Sequence, residues 1–197
     1  MTAASVPSLL AIFVGGKSLR MGEPKGLLAV PDSAEPILEA LVQRGRQAGF
    51  DPILVGDALP YAHLAQDVPR VPDNPQAAGP LGGLQAALQQ AARTGFSHVI
   101  VIACDMPYVT PEALGEVLAH RSTAMVVAPR RGPAGPWEPM LARYDVARLA
   151  PVLSRAISRG QRSFQKLFAT IEVEALPMTP VIERALHDWD SPEDLGR

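Results

Sequence analysis

Four short runs in this chain, residues 9–14, 52–55, 98–103 and 123–128, are apolar almost from end to end. A strand that is apolar on both faces has to be covered on both, which is the situation of a parallel sheet between two layers of helices. The stretches between the runs can supply that cover. Residues 36–48 place Ile37, Leu38, Leu41 and Val42 at helical spacing behind Pro36. Residues 81–92 form a second helical stretch, weakened at its start by two glycines. Thr110-Pro111-Glu112 opens a third, with Thr110 as N-cap and Pro111 at the first helical position. The expected class is therefore an open α/β fold of three layers with a mostly parallel sheet and right-handed crossovers. In such folds ligands sit beyond the carboxyl ends of the strands.

After residue 130 the pattern changes. Residues 131–136 read as a Gly/Pro loop, 137–144 alternate like a strand, and 145–159 read as a helix. No repeat or linker divides the chain, so residues 1–197 are expected to form one domain. With 47% apolar and 19% charged residues, it needs no covalent staples. The net charge of -2 argues against a broad nucleic-acid binder. Cys104 is the single cysteine, which excludes an internal disulfide framework and a zinc site built from several thiolates. No stretch reaches the roughly 18 apolar residues of a membrane span, and the N-terminus lacks the basic region of a signal peptide. A cytoplasmic protein is expected.

The first apolar run leads into Gly15-Gly16-Lys17-Ser18-Leu19-Arg20-Met21-Gly22-Glu23-Pro24-Lys25. Gly15 and Gly16 let the backbone turn tightly and bring N–H groups to an anion, and Arg20 and Lys25 add two cations. Glycines and cations at a strand's carboxyl end suit a polyphosphate, although a plain surface loop would also carry solvated cations. The loop is not a P-loop, because the first required glycine would be Ala11. It is not a dinucleotide fingerprint either, since no G-x-G-x-x-G opens a helix here.

This loop resembles the signature of the molybdenum cofactor guanylyltransferases, roughly L-x-G-G-x-S-x-R-M-G-x-x-K. It departs only at Phe13 and Val14, where the family usually has Leu-Ala. Gly79-Pro80-Leu81-Gly82-Gly83-Leu84 resembles the family's G-P-L-x-G segment, which lies against the guanine. Asp73, just before it, is either an acceptor for the guanine edge or a turn former beside Asn74-Pro75. Cys104-Asp105-Met106-Pro107 is similar to the family's C-D-x-P, whose carboxylate is suited to Mg²⁺. Residues 138–144 resemble its x-P-L-x-A-x-Y strand, Gly160-Gln161-Arg162-Ser163 its acceptor-side G-x-R-S, and residues 191–195 its closing T-P-E-D-L. One departure concerns the base. Asp188-Trp189-Asp190 stands where the guanylyltransferases commonly carry N-x-N, and is closer to the D-x-D of related cytidylyltransferases. Asp190 could be a second metal ligand or a cap of the terminal helix.

The resemblance implies a Rossmann-like nucleotidyltransferase fold, with a nucleotide part at residues 9–110 and an acceptor part at 111–197. It implies transfer of GMP from GTP to the terminal phosphate of molybdenum-loaded molybdopterin, with release of pyrophosphate. Arg20, Lys25 and Asp105 would be catalytic. Phe13, Val14, Gly15, Gly16, Ser18, Lys25, Asp73, Gly79, Leu81, Gly82 and Asp105 would bind the nucleotide. Asp105 and Asp190 would hold Mg²⁺, and Arg162 and Ser163 would meet the acceptor. Transient contact with molybdoenzymes or their chaperones is also implied. The alternatives are a sister enzyme using CTP or another acceptor, and a non-catalytic protein that delivers cofactor. The other motifs receive ordinary readings: Arg130-Arg131 as a solvated pair that could meet an anionic acceptor, Trp137 and Trp189 as packing residues, and His63, His98, His120 and His187 as scattered.

Overall fold

The protein is described here from a computed structural model that covers residues 8–15, 24–30 and 33–187. Seven strands form one sheet: β1 (Ser8–Phe13), β2 (Asp51–Val55), β3 (Arg70–Val71), β4 (His98–Ala103), β5 (Val126–Pro129), β6 (Ala142–Asp145) and β7 (Val173–Leu176). Their order across the sheet is β3-β2-β1-β4-β6-β5-β7. All pairings are parallel except those of β6, which runs antiparallel to both β4 and β5. The helices are α1 (Ile37–Gln47), α2 (Pro80–Thr94), α3 (Pro111–Ala119), α4 (Val146–Ser158), α5 (Phe164–Phe168) and α6 (Pro180–Ala185).

Strand alternation divides the core in two. Leu10, Ile12, Ile100 and Ile102 point to the face covered by α1, α3 and α6. Leu9, Ala11, Val99 and Val101 point to the face covered by α2, α4 and α5. Both faces of β1 and β4 are thus dry, which is why these strands read as unbroken apolar runs. Gly45 brings α1 close to the sheet, since a Cβ there would collide with the Leu10 side chain. Helix α4 buries Val146, Leu149, Leu153 and Ile157, a one-sided stripe, behind an Asp145 N-cap that accepts from Arg148 N. Pro151 is tolerated inside α4 on its exposed side.

The sequence boundaries hold to within a few residues for β1, β2, β4 and the first three helices. Thr110 caps α3 as expected, its Oγ1 accepting from Ala113 N at 3.2 Å. Two expectations change. The alternating stretch 137–144 is a strand only over Ala142–Asp145. Pro136 and Pro139 have no N–H for a ladder, and Leu141 adopts φ 63° before the strand begins. The expected strand at 123–128 starts later, at Val126. Weak local patterns left β3, α5, β7 and α6 unmarked. Among the described residues no helix is long and apolar enough to cross a membrane.

Candidate active site

The C-terminal edges of β1, β2, β3 and β4 converge on one end of the sheet, and of the expected site residues Phe13, Val14, Gly15, Lys25, Asp73 and Asp105 lie there. Lys25 opens a short 3₁₀ turn, Lys25–Leu27, and Asp105 follows β4 by two residues. Lys25 Nζ lies 2.9 Å from Asp105 Oδ2, with side chains 15% and 22% exposed. The pair is half-shielded and open on one side.

A buried tyrosine holds both halves of this pair. The ring of Tyr61 lies directly under Gly26, where a Cβ would stand 2.9 Å from its Cε1. The Tyr61 hydroxyl accepts from Gly26 N at 3.4 Å and lies 3.8 Å from Cys104 Sγ. It therefore touches the residue after Lys25 and the residue before Asp105. Burial drives the Tyr61 hydroxyl far above its usual range. Burial, then the charge of Asp105, pushes the Cys104 thiol up to about 11. Both are neutral spacers. On the far side, Arg44 Nη1 donates to Pro107 O at 2.6 Å and Val109 O at 3.0 Å, which ties the loop after Asp105 to α1.

Beside the pair lies a recess with glycine walls. Gly56, at φ 109°, follows β2 and meets Gly15 so closely that a Cβ would stand 2.9 Å from Gly15 N. Gly83, in the first turns of α2, faces Phe13 and Asp73, where a Cβ would stand 3.1 Å from Asp73 Oδ1. Asp73 thus sits among Gly15, Gly56 and Gly83. Its carboxylate has no hydrogen-bond or ion-pair partner among the described residues. Burial alone raises its pKa. The recess continues into a cavity of about 640 Å³ lined by Gly56, Asp57, Leu59, Arg70, Asp73 and Gln76.

The remaining expected residues divide by what their own atoms do. Phe13, Val14 and Leu81 have buried side chains in the two cores, so only their backbones can reach a ligand. Val14 N is already committed to Val55 O at 2.9 Å. Gly82 is spent internally: its N–H donates to Gly79 O at 2.9 Å and its carbonyl accepts from Asn74 N at 3.1 Å. A Cβ on Gly82 would collide with Pro75 O, so this glycine serves loop closure. Gly79, at φ 60°, is exposed at the mouth of the loop. Arg162 Nη1 donates to Ile157 O at 3.1 Å and Gln161 O at 2.8 Å, which satisfies the C-terminal end of α4. Ser163 caps α5 through Lys166 N. Gly16, Ser18, Arg20 and the Asp188-Trp189-Asp190 segment with Asp190 lie outside the described residues.

Sequence reasoning missed Tyr61, Asp57 and Gly56. Gly56-Asp57 directly after an apolar strand was a readable signal, because such strand ends are where ligands bind. Tyr61 carried none, since its partners come from two distant loops. Among the described residues no three His, Cys, Asp or Glu side chains cluster as a metal cage. Asp105 still fits Mg²⁺ bound together with a triphosphate, which takes one or two carboxylates and completes its shell with water and phosphate. Its Oδ1 has no partner among the described residues.

Comparison with known proteins identifies the family. The MobA-like NTP transferase domain matches residues 10–175. A protein of Opitutus terrae named probable molybdenum cofactor guanylyltransferase is 32% identical over 196 residues, covering 95% of this chain and 92% of its own. One of Pseudomonas putida, named molybdenum cofactor guanylyltransferase, is 34% identical and covers 99% of both. The crystal structure of molybdopterin-guanine dinucleotide biosynthesis protein A from Archaeoglobus fulgidus has the same fold, at TM-score 0.72 and 24% identity, covering 95% and 94%. So does 2-C-methyl-D-erythritol 4-phosphate cytidylyltransferase from Thermus thermophilus, at TM-score 0.66 and 14% identity, covering 94% of both. The family match over residues 10–175 and the relatives above 30% identity make the chain a member of the MobA-like NTP transferase family.

Proposed function

We propose that the protein transfers GMP from GTP to the terminal phosphate of molybdenum-loaded molybdopterin and releases pyrophosphate. The observation that carries the reading is Lys25 poised on Asp105 at the end of β4, next to the Asp73 carboxylate, which has no partner among the described residues, in its glycine-walled recess. The names of the full-length relatives favour guanine and this acceptor.

The chemistry asks for little covalent help from side chains. The acceptor is a phosphate monoester whose second pKa is about 6, so it is mostly dianionic near neutral pH and needs no general base. Catalysis rests on positioning and charge neutralisation. Lys25, with Arg20, holds the triphosphate and the departing pyrophosphate. The backbone around Phe13, Val14, Gly15, Gly16 and Ser18 cradles the phosphates and ribose. Asp73 accepts from the N–H edge of guanine, with Gly79, Leu81 and Gly82 shaping the loop beside the base. Asp105 would hold Mg²⁺, with Asp190 as a second ligand; the ion would neutralise charge on the α-phosphate and leaving group. Arg162 and Ser163 stand on the acceptor side, and the reaction belongs in the cytoplasm.

One sequence observation favours CTP instead, the Asp188-Trp189-Asp190 segment. Pyrophosphate release with molybdopterin as acceptor, measured with GTP and with CTP, tests the reading. A GTP preference of at least roughly a hundredfold in kcat/KM is expected, because a site built to pair a base edge rejects one lacking it. Equal use of CTP overturns the guanine assignment, and no pyrophosphate with either nucleotide overturns catalysis.

A further inference from the structure

The C-terminal edge of the sheet has a second half, away from the residues assigned above to the nucleotide. β5 runs in the same direction as β4, because both are antiparallel to β6 between them. Arg130, the residue after β5, therefore lies on the edge that carries Asp105. Two strand spacings, about 10 Å, separate β5 from β4. The nucleotide features lie on the other side of β4, toward β3, so an acceptor approaching the same reacting centre is left with the Arg130 side.

Arg130 is fixed before any ligand arrives. Its guanidinium carbon stands 4.8 Å from the centroid of the Trp137 ring, and its Nε donates to Gly135 O at 2.9 Å. The Trp137 backbone is fixed in turn: its main-chain N–H donates to Gln165 Oε1 at 3.1 Å, and its main-chain carbonyl accepts from Gln165 Nε2 at 2.6 Å. The Trp137 ring meets Phe168 edge-on at 6.4 Å. The turn between Arg130 and Trp137 needs Gly135, since a Cβ there would collide with the Arg131 carbonyl. Nη1 and Nη2 of Arg130 nevertheless donate to nothing among the described residues. Its neighbour differs, because Arg131 Nε is paired with Glu138 Oε1 at 2.6 Å.

We propose that Arg130, stacked on Trp137, is a binding site for the phosphate monoester of the acceptor. This rests on the transfer reading above for the identity of that acceptor. A guanidinium fork with both terminal nitrogens unspent matches two phosphate oxygens, and its stacking has already removed the entropy of ordering it. Arg130 contacts oxygens other than the attacking one and neutralises the dianion beside the triphosphate. Arg162, by contrast, already gives Nη1 to two carbonyls.

Trp137 makes the test direct, because a ligand on Arg130 changes the surroundings of the indole. In a Trp189→Phe background, molybdopterin is titrated against tryptophan emission, and GTP affinity is measured separately by calorimetry. Arg130→Ala should weaken molybdopterin at least about tenfold, the worth of one charge-assisted hydrogen bond. Arg130→Lys should weaken it less, Arg131→Ala should not weaken it, and GTP affinity should stay at the parent value in all three. Unchanged molybdopterin affinity in Arg130→Ala overturns the proposal. So does a parallel loss of GTP affinity in Arg130→Ala and Arg130→Lys, which would make the loop merely structural. A parent that binds molybdopterin through Arg130 but binds no GTP supports this site and overturns the transfer reading. A parent that binds GTP but not molybdopterin overturns this site and leaves nucleotide binding standing.

Discussion

Lys25 Nζ donates to Asp105 Oδ2 at 2.9 Å across 80 residues of sequence, and Tyr61 touches the backbone neighbour of one and the side-chain neighbour of the other. The pair is therefore set by a shared support under both loops. Lys25 partly neutralises the Asp105 carboxylate. In the proposed reaction Lys25 would turn to the triphosphate and leave Asp105 for the metal.

Lys25→Ala should lower kcat/KM for GTP and CTP together, by at least about a hundredfold or 2.7 kcal/mol. Lys25 supplies positive charge to the phosphates in the proposed reaction, so the effect should ignore the base. Steady-state assays with both nucleotides decide. A loss confined to one base would put Lys25 on the base and reverse the orientation of the nucleotide.

Asp105→Asn should keep the fold, because Asp105 is partly exposed and its described partner is Lys25. Turnover should fall by roughly a hundredfold or more, since the variant loses the charge that would hold the metal. Melting temperature and turnover at limiting Mg²⁺ are the measurements. Near-normal turnover there would remove Asp105 from the metal site.

Asp73 has a carboxyl whose pKa burial raises, with no partner among the described residues to offset the cost. A raised folded-state pKa means the folded chain holds its proton to higher pH than the unfolded chain does. The stability tied to that proton is fully present below the usual carboxylate range and is lost as pH rises through the folded value. At neutral pH, Asp73→Asn should therefore raise the melting temperature while erasing the preference for GTP over CTP. The gain should vanish in acid. Calorimetry across pH, paired with nucleotide assays, checks both halves; a destabilised variant at neutral pH would show that Asp73 has a stabilising partner. This variant is a cleaner probe than a substitution at Gly82, whose Cβ would strike the Pro75 carbonyl.

Tyr61→Phe should cost about 1 kcal/mol of stability, the usual worth of a hydrogen bond. Gly26→Ala should cost activity more than stability, because its Cβ would stand 2.9 Å from the Tyr61 ring and shift the turn that carries Lys25. The comparison is kcat against melting temperature in the two variants. The thiol of Cys104, pushed up to about 11, should react with iodoacetamide at pH 8 far more slowly in the native protein than in denaturant. Equal rates would mean that the thiol is not held in that buried contact.

The sequence determined what depends on neighbours along the chain. Residues apolar on both faces belong to central strands, so β1 and β4 and the direction of the parallel sheet were legible. Thr110-Pro111 announced α3. Only the tertiary structure decided what depends on contacts between distant loops. It paired Lys25 with Asp105 over Tyr61, gathered Gly15, Gly56 and Gly83 around Asp73, and turned β6 antiparallel. It also separated Arg130 from Arg131, which sequence read as one solvated pair: a ring beneath the first and a carboxylate beside the second gave them different work. Periodicity reports which face of an element is dry, but not which side chains from other elements will share a corner of that face.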